Sequence, residues 1–234
     1  MVGKVMEFEA TRPVFVDGRH SASSPTVLAL LLRKFNPMNP EDMIELAIKN
    51  NKGIFHDICL WCERTGNPLI TSEHTSEDED IHCIIQKGER RSSDQKMVVV
   101  MSSANLEVIV EVLEKAIGGC VLGMDVSLFF EGTGVRLLQN GYRARCPGIF
   151  GGFRTNKIEG ECRRVGKLLP RDAIGMLEEL GANFFVCGPS LEIYGVDEEE
   201  VSVAKYEVVS GVRLTDLLTQ SDVNLFSGGV FERP

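Results

Sequence analysis

No stretch of about 18 uncharged apolar residues occurs in this 234-residue chain, and the longest apolar runs, such as residues 97–101, are strand-sized. The chain is therefore not expected to span a membrane. Positive charge is also short, with 25 Lys and Arg against 34 Asp and Glu, a net of −9. Phosphate backbones and acidic lipids need a clustered excess of Lys and Arg, which argues against a general nucleic-acid or anionic-membrane binder, though not against a small local basic patch. The first residues, MVGKVMEFEATRP, hold no apolar block of the kind a secretory signal needs, so the expected location is the cytoplasm. The glycine pairs at 118–119 and 151–152 lack the strand-GxGxxG-helix or GxxxxGK[ST] context, which leaves a nucleotide site little support. Histidines 20, 56, 74 and 82 form no hydrolase signature with a Ser or Asp, and no internal repeat is found.

What is present is enough apolar matter for a core, 43% of residues, at a length that fits one large or two small domains. Seven cysteines, at 59, 62, 83, 120, 146, 162 and 187, are an odd number in a chain too large to need staples. They read as reduced thiols. The stretch KGERRSSDQ at 87–95 holds charges and serines but no apolar residue, as an exposed linker does. It divides the chain into residues 12–88, a linker at 89–95 and residues 96–230.

In the first half the patterns predict strands at 13–16, 42–47, 69–70 and 81–86 and helices at 26–35 and 55–64, with the acidic SEHTSEDED loop between the last two strands. The order is that of a two-layer β-α-β-α-β-β sandwich. In the second half, nearly all-apolar runs at 97–101, 126–130, 183–186 and 224–226 read as strands covered on both faces. Helix patterns lie between them at 105–117, 134–138, 170–180, 198–205 and 212–220. This alternation predicts a doubly wound, mostly parallel α/β sheet with sites at the carboxyl ends of its strands. An insertion at 140–169, rich in Gly and Arg, breaks the rhythm and reads either as a functional lid or as an oligomer arm.

Cys187, in FFVCGPSLEIYG, follows a buried strand where Gly188-Pro189-Ser190 turns the chain into a short helix. A thiol there faces the positive end of a helix dipole and free backbone N–H groups, which is a nucleophile's position. The same placement also reads as a small core residue. Cys59 and Cys62 form CLWC, but well inside a helix pattern and with no second CxxC or HxxxH to complete a zinc set, so they read as packing. No metal is expected. Cys120 at a helix end reads as core. Cys146 and Cys162 lie among Arg143, Arg145, Arg163 and Arg164, where positive charge favours thiolates, and stand as secondary reactive thiols. The acid runs at 77–80 and 197–200 read as solvated charges.

Both halves resemble known families. Residues 14–87 resemble the TusA family of small sulfur carriers, through VFVDGRH, SSPTVLAL and KGIFHDICLWCERTGNPLI. That family's sulfur-carrying cysteine lies in a Cys-Pro-x-Pro motif at the start of the first helix, and the ungapped match places Ser23-Ser24-Pro25-Thr26 there. Ser23 thus occupies the family's cysteine position. A serine hydroxyl is far too weak an acid to hold a persulfide, so Ser23 reads as a cap. Residues 96–227 resemble the DsrE/DsrF-like, peroxiredoxin-like sulfur-relay proteins, through KMVVVMSSANLEVIVEVLEKAIGGCVLGMDVSLFFEGTGVRLL, MLEELGANFFVCGPSLEIYGV and LLTQSDVNLF. In active members a cysteine after a strand accepts sulfur, and Cys187 matches it.

The resemblance implies persulfide relay through Cys187, with backbone N–H groups of Gly188 and Ser190 steadying the anion and Phe184, Phe185 and Tyr194 restricting water. No cofactor is implied. The implied partners are sulfur-donor and sulfur-acceptor proteins or small polysulfides, and the implied assembly is a homo-oligomer, trimeric or hexameric. Two other functions remain open at this stage: a non-catalytic scaffold that docks partners, and a thiol-disulfide redox protein pairing Cys187 with Cys146 or Cys162.

Overall fold

The structure is a computed structural model and describes residues 13–75, 80–89 and 93–228. Residues 77–79 of the acid run and the middle of the linker, 90–92, lie outside them; the last residue of that run, Asp80, is not solvated but buried, and accepts from Arg19 and Lys49.

The first half begins with β1 (Val14–Asp17), α1 (Ser24–Phe35) and β2 (Met43–Lys49), and continues through α2 (Lys52–Thr65), β3 (Leu69–Thr75) and β4 (Asp80–Gln86). Its sheet runs β1-β2-β4-β3, with β1 parallel to β2 and the other pairs antiparallel. The expected β-α-β-α-β-β sandwich is what forms. β2 is a strand despite its helix-prone letters because it is central: Ile44, Leu46, Ala47 and Ile48 are buried between β1 and β4. α2 ends at Gly66, whose φ of 75° supplies the left-handed cap that stops the helix. α1 starts at Ser23, carries Pro25 in its first turn and places Arg33 and Lys34 in its last, where they meet the negative end of the dipole. Six of its twelve residues are buried, because it packs on β1 and α2 from one side and on a helix of the second half from the other.

The second half opens with β5 (Lys96–Met101), α3 (Leu106–Val121) and β6 (Asp125–Phe130), followed by a 3-10 turn at Gly132–Leu138. Next come α4 (Gly151–Arg164), α5 (Pro170–Glu179), β7 (Asn183–Cys187) and α6 (Gly188–Tyr194). It closes with β8 (Glu207–Val209), α7 (Gly211–Thr219) and β9 (Val223–Phe226). The sheet runs β8-β7-β6-β5-β9 and every pair is parallel. The chain winds outward from β5 to β8 and then returns to lay β9 on the other side of β5, the doubly wound arrangement. α3 packs on β5, β6 and α5. On the opposite face α7 places the Arg213 guanidinium 5.2 Å from the Phe185 ring.

Besides the added strand β8 and the extension of β3 to Thr75, two segments differ from expectation. Residues 198–205 are not a helix: only Glu198–Glu200 make a 3-10 turn. Val201 then bridges Gln139, and Ser202 donates its N–H to the Leu138 carbonyl at 2.7 Å, so pairing with the preceding connection overrides the helical propensity of the acid run. The insertion at 140–169 contains a full helix, α4. Its buried residues are Gly151, Thr155, Glu159 and Cys162, a helical stripe without one large apolar side chain, so hydrophobic periodicity does not reveal it.

The two halves share one continuous apolar cluster through their facing helices. Trp61, fully buried on α2, donates its Nε1–H to the Val121 carbonyl at the end of α3 at 2.9 Å. The turn before α1 is stitched to the segment after α4: Ala22 N–H donates to Val165 O at 2.7 Å and the Ser21 hydroxyl donates to Gly166 O at 3.0 Å. Gly166 has φ of 69°, and a Cβ there would stand 2.2 Å from the His20 carbonyl, so the close approach requires glycine. Arg33 of α1 pairs with Glu179 of α5.

Candidate functional site

The carboxyl edge of the parallel sheet is laced by small hydroxyl side chains. Ser227, fully buried just after β9, accepts the N–H groups of Ser102 at 2.8 Å and Ser103 at 3.3 Å, tying β9 to β5. Thr133 accepts the Ala104 N–H at 3.1 Å and ties β5 to the turn after β6. Ser190 accepts the Gly132 N–H at 3.0 Å, which holds the turn after β6 against the first turn of α6. Ser102, Thr133 and Ser227 were not singled out in the sequence. The signal for them is that each apolar strand runs straight into small residues, as in MSSAN, FFEGTG, VCGPS and LFSG.

Cys187 stands at this edge. It is the last residue of β7, opposite Val209 of β8, and the N-cap of α6, with extended backbone (φ −71°, ψ 111°) and Pro189 in the first turn. Its side chain makes no capping hydrogen bond and is half-buried. Pro189 has no N–H, so the first turn of α6 presents those of Gly188 and Ser190. Ser190 itself is buried, with its hydroxyl engaged by Gly132. Phe184 and Phe185 are buried in β7, and Tyr194 lies under the Arg136 guanidinium at 5.4 Å. The carboxyl of Glu131, the residue after β6, is also half-buried, and burial raises it above the usual carboxylate range.

The other cysteines have different surroundings. Burial pushes the thiols of Cys62 and Cys120 up to about 12 and that of Cys83 up to about 11. Cys59, half-buried, lies within α2. Cys146 and Cys162 are both buried. Of the arginines near them in sequence, Arg143 forms a bidentate pair with Glu159 at 2.7 and 2.9 Å, and Arg163 approaches the same carboxylate. Arg164 pairs with Glu161. Those charges are spent on carboxylates, and burial raises the Cys162 thiol, opposite to the shift that the arginine-rich sequence suggested. Among the described residues no group of three or more His, Cys, Asp and Glu is placed to hold a metal ion. No helix there is long and apolar enough to cross a membrane.

Ser23 is 2% exposed. Its hydroxyl accepts the N–H of Thr26 at 3.4 Å and the Thr26 hydroxyl at 3.1 Å, so it is a helix cap. Val110 and Ile117 of α3, together with Lys167, line the space beside it.

The model of the DsrE/DsrF-like family matches residues 81–226. The chain belongs to that family. The matched stretch of this DsrE/DsrF-like protein spans β4 to β9 and includes Cys187 and the α4 insertion. Two solved structures are similar to it at low identity. The ychN protein from E. coli is 18% identical over 56% of this chain and 98% of its own, with a TM-score of 0.43. The protein MTH1491 from Methanobacterium thermoautotrophicum is 14% identical over 57% of this chain and 99% of its own, with a TM-score of 0.40. No curated protein matches the chain.

Proposed function

We propose that this DsrE/DsrF-like protein is a sulfur-relay protein that carries persulfide sulfur on Cys187, with residues 14–87 a TusA-like module that docks and does not carry. The observation that carries the reading is the place of Cys187: a half-buried thiol at the carboxyl edge of the parallel sheet, at the start of α6, with no capping bond to occupy it. In the relay step the Cys187 thiolate attacks the outer sulfur of a donor persulfide. A new Sγ–S bond forms, the donor S–S bond breaks, and its electron pair leaves with the donor thiolate. The reverse exchange, with an acceptor thiolate as attacker, passes the sulfur on, and no external oxidant or reductant is consumed. The N–H groups of Gly188 and Ser190 steady the anionic sulfur.

The scaffold reading is favoured for the first half alone. Its cysteine position holds Ser23, which is capped, buried and walled by the second half. Self-association is supported by the tip of α4, where Ile149 is 99% exposed, Phe150 76% and Phe153 75%. The test is intact mass after the reduced protein meets polysulfide, for wild type and Cys187→Ser side by side. A gain of about one sulfur mass that vanishes in the variant is expected. Equal gain in both proteins, or gain in neither, rejects Cys187 as the carrier.

A further inference from the structure

The register of the parallel sheet sets a carboxyl beside Cys187. Phe129 pairs with Phe185 and Phe130 with Val186, so extending that register one step past the end of the ladder sets Glu131 opposite Cys187. Register partners in a parallel pair lie on the same face about 4.8 Å apart, and successive residues alternate faces. Glu131 (φ −141°, ψ 171°) and Cys187 are both extended, so both leave the sheet on the face of Phe129 and Phe185, the face that α7 covers. The alignment is held past the end of the β6–β7 ladder from both sides. Glu131 N–H still donates to Met101 O of β5 at 3.1 Å, and the next N–H, of Gly132, is fixed on Ser190 in α6.

Among the described residues no side chain donates to or pairs with the Glu131 carboxyl. The charged groups on the surrounding elements are engaged elsewhere or face solvent. Arg213 of α7 is paired with Asp216 and lies over Phe185, and Arg136 of the 3-10 turn lies over Tyr194. Glu207 at the start of β8 and Glu192 of α6 are exposed. No cation among the described residues holds the carboxyl in its charged form, and partial burial disfavours that form.

We infer that Glu131 is the proton carrier of the Cys187 site, taking the proton of the thiol and returning it to the thiolate that leaves the sulfur donor. This rests on the relay reading. The balance is closed: Cys187 thiol and Glu131 carboxylate become thiolate and carboxylic acid; the thiolate takes the outer sulfur of the donor persulfide; the donor thiolate departs with the S–S electron pair and receives the Glu131 proton. Thiol and persulfide have exchanged one sulfur, and Glu131 is again a carboxylate. Burial raises the carboxyl above its ordinary range, the direction that favours its holding a proton in the course of the exchange.

The test compares wild type with Glu131→Gln, which keeps size and removes the proton chemistry, in two reactions followed at Cys187 by peptide mass. Glutathione persulfide releases a basic thiolate that benefits from a proton. An aromatic disulfide of the Ellman type releases a thiolate so weakly basic that it leaves unaided. Loading from glutathione persulfide is expected to fall at least about tenfold in Glu131→Gln, within the range a general acid supplies. Exchange with the aromatic disulfide is expected to fall at most about threefold, because only the removal of the thiol proton, which solvent base also accepts, is lost there and the leaving group needs no acid. If both reactions slow by the same factor, Glu131 returns no proton to the leaving thiolate, and if neither slows it has no part in the transfer; either result overturns the proton role alone. A wild type that takes no sulfur from glutathione persulfide while still reacting with the aromatic disulfide contradicts the relay reading, and the proton role with it.

Discussion

Ser23 and Cys187 occupy equivalent local positions in the two halves of the chain. Each is the extended N-cap of a helix that follows a strand, and each has proline two residues later, at Pro25 and Pro189. Their surroundings are opposite. Ser23 is 2% exposed, spends its hydroxyl on Thr26 and is covered by α3 and the segment after α4. Cys187 makes no cap bond and is half-open at the carboxyl edge of the second sheet. The same strand, cap and proline device therefore serves as a structural joint in one half and as a candidate carrier in the other. The difference is made by what the tertiary structure lays over each position.

Weakening the joint should affect stability and leave the carrier alone. The largest effect is expected from Trp61→Ala, which empties a fully buried site between the halves and removes the bond to Val121 O. It should cost about 3–5 kcal/mol in urea unfolding. The alkylation rate of Cys187 in the folded variant should match wild type; a change would show that the carrier edge depends on the joint. A smaller effect is expected from Ser23→Ala, which removes the cap of α1 and should cost about 1 kcal/mol by the same measurement. Sulfur loading of Ser23→Ala should equal wild type, and a loss would mean that Ser23 takes part in transfer.

Much of this arrangement is legible in the sequence, and the rest is hidden for identifiable reasons. The strands 97–101 and 126–130 are nearly all apolar because helices cover both faces of the second sheet, and the structure places β5 and β6 there. Cys187 at a strand end before Gly-Pro-Ser is visible in the same way. α4 is not, because its buried stripe is Gly151, Thr155, Glu159 and Cys162, and the one charge in it is satisfied by Arg143. β8 is three residues long at the edge of the sheet and carries no periodicity to detect. The expected helix at 198–205 fails because Val201 and Ser202 pair with the connection after β6. The burial of Ser23 and the β6–β7 register that directs Glu131 toward Cys187 both depend on contacts between segments more than 50 residues apart in sequence, so no local pattern contains them.

The most direct test of the account puts a thiol at the covered position. Wild type and Ser23→Cys, both reduced, are incubated with polysulfide, and the added sulfur is located by peptide mass. The account predicts that both proteins take sulfur on Cys187 at the same rate while the introduced thiol, buried under the second half, stays unmodified. Sulfur on the introduced thiol at a rate comparable with Cys187, or none on Cys187 in either protein, would contradict it.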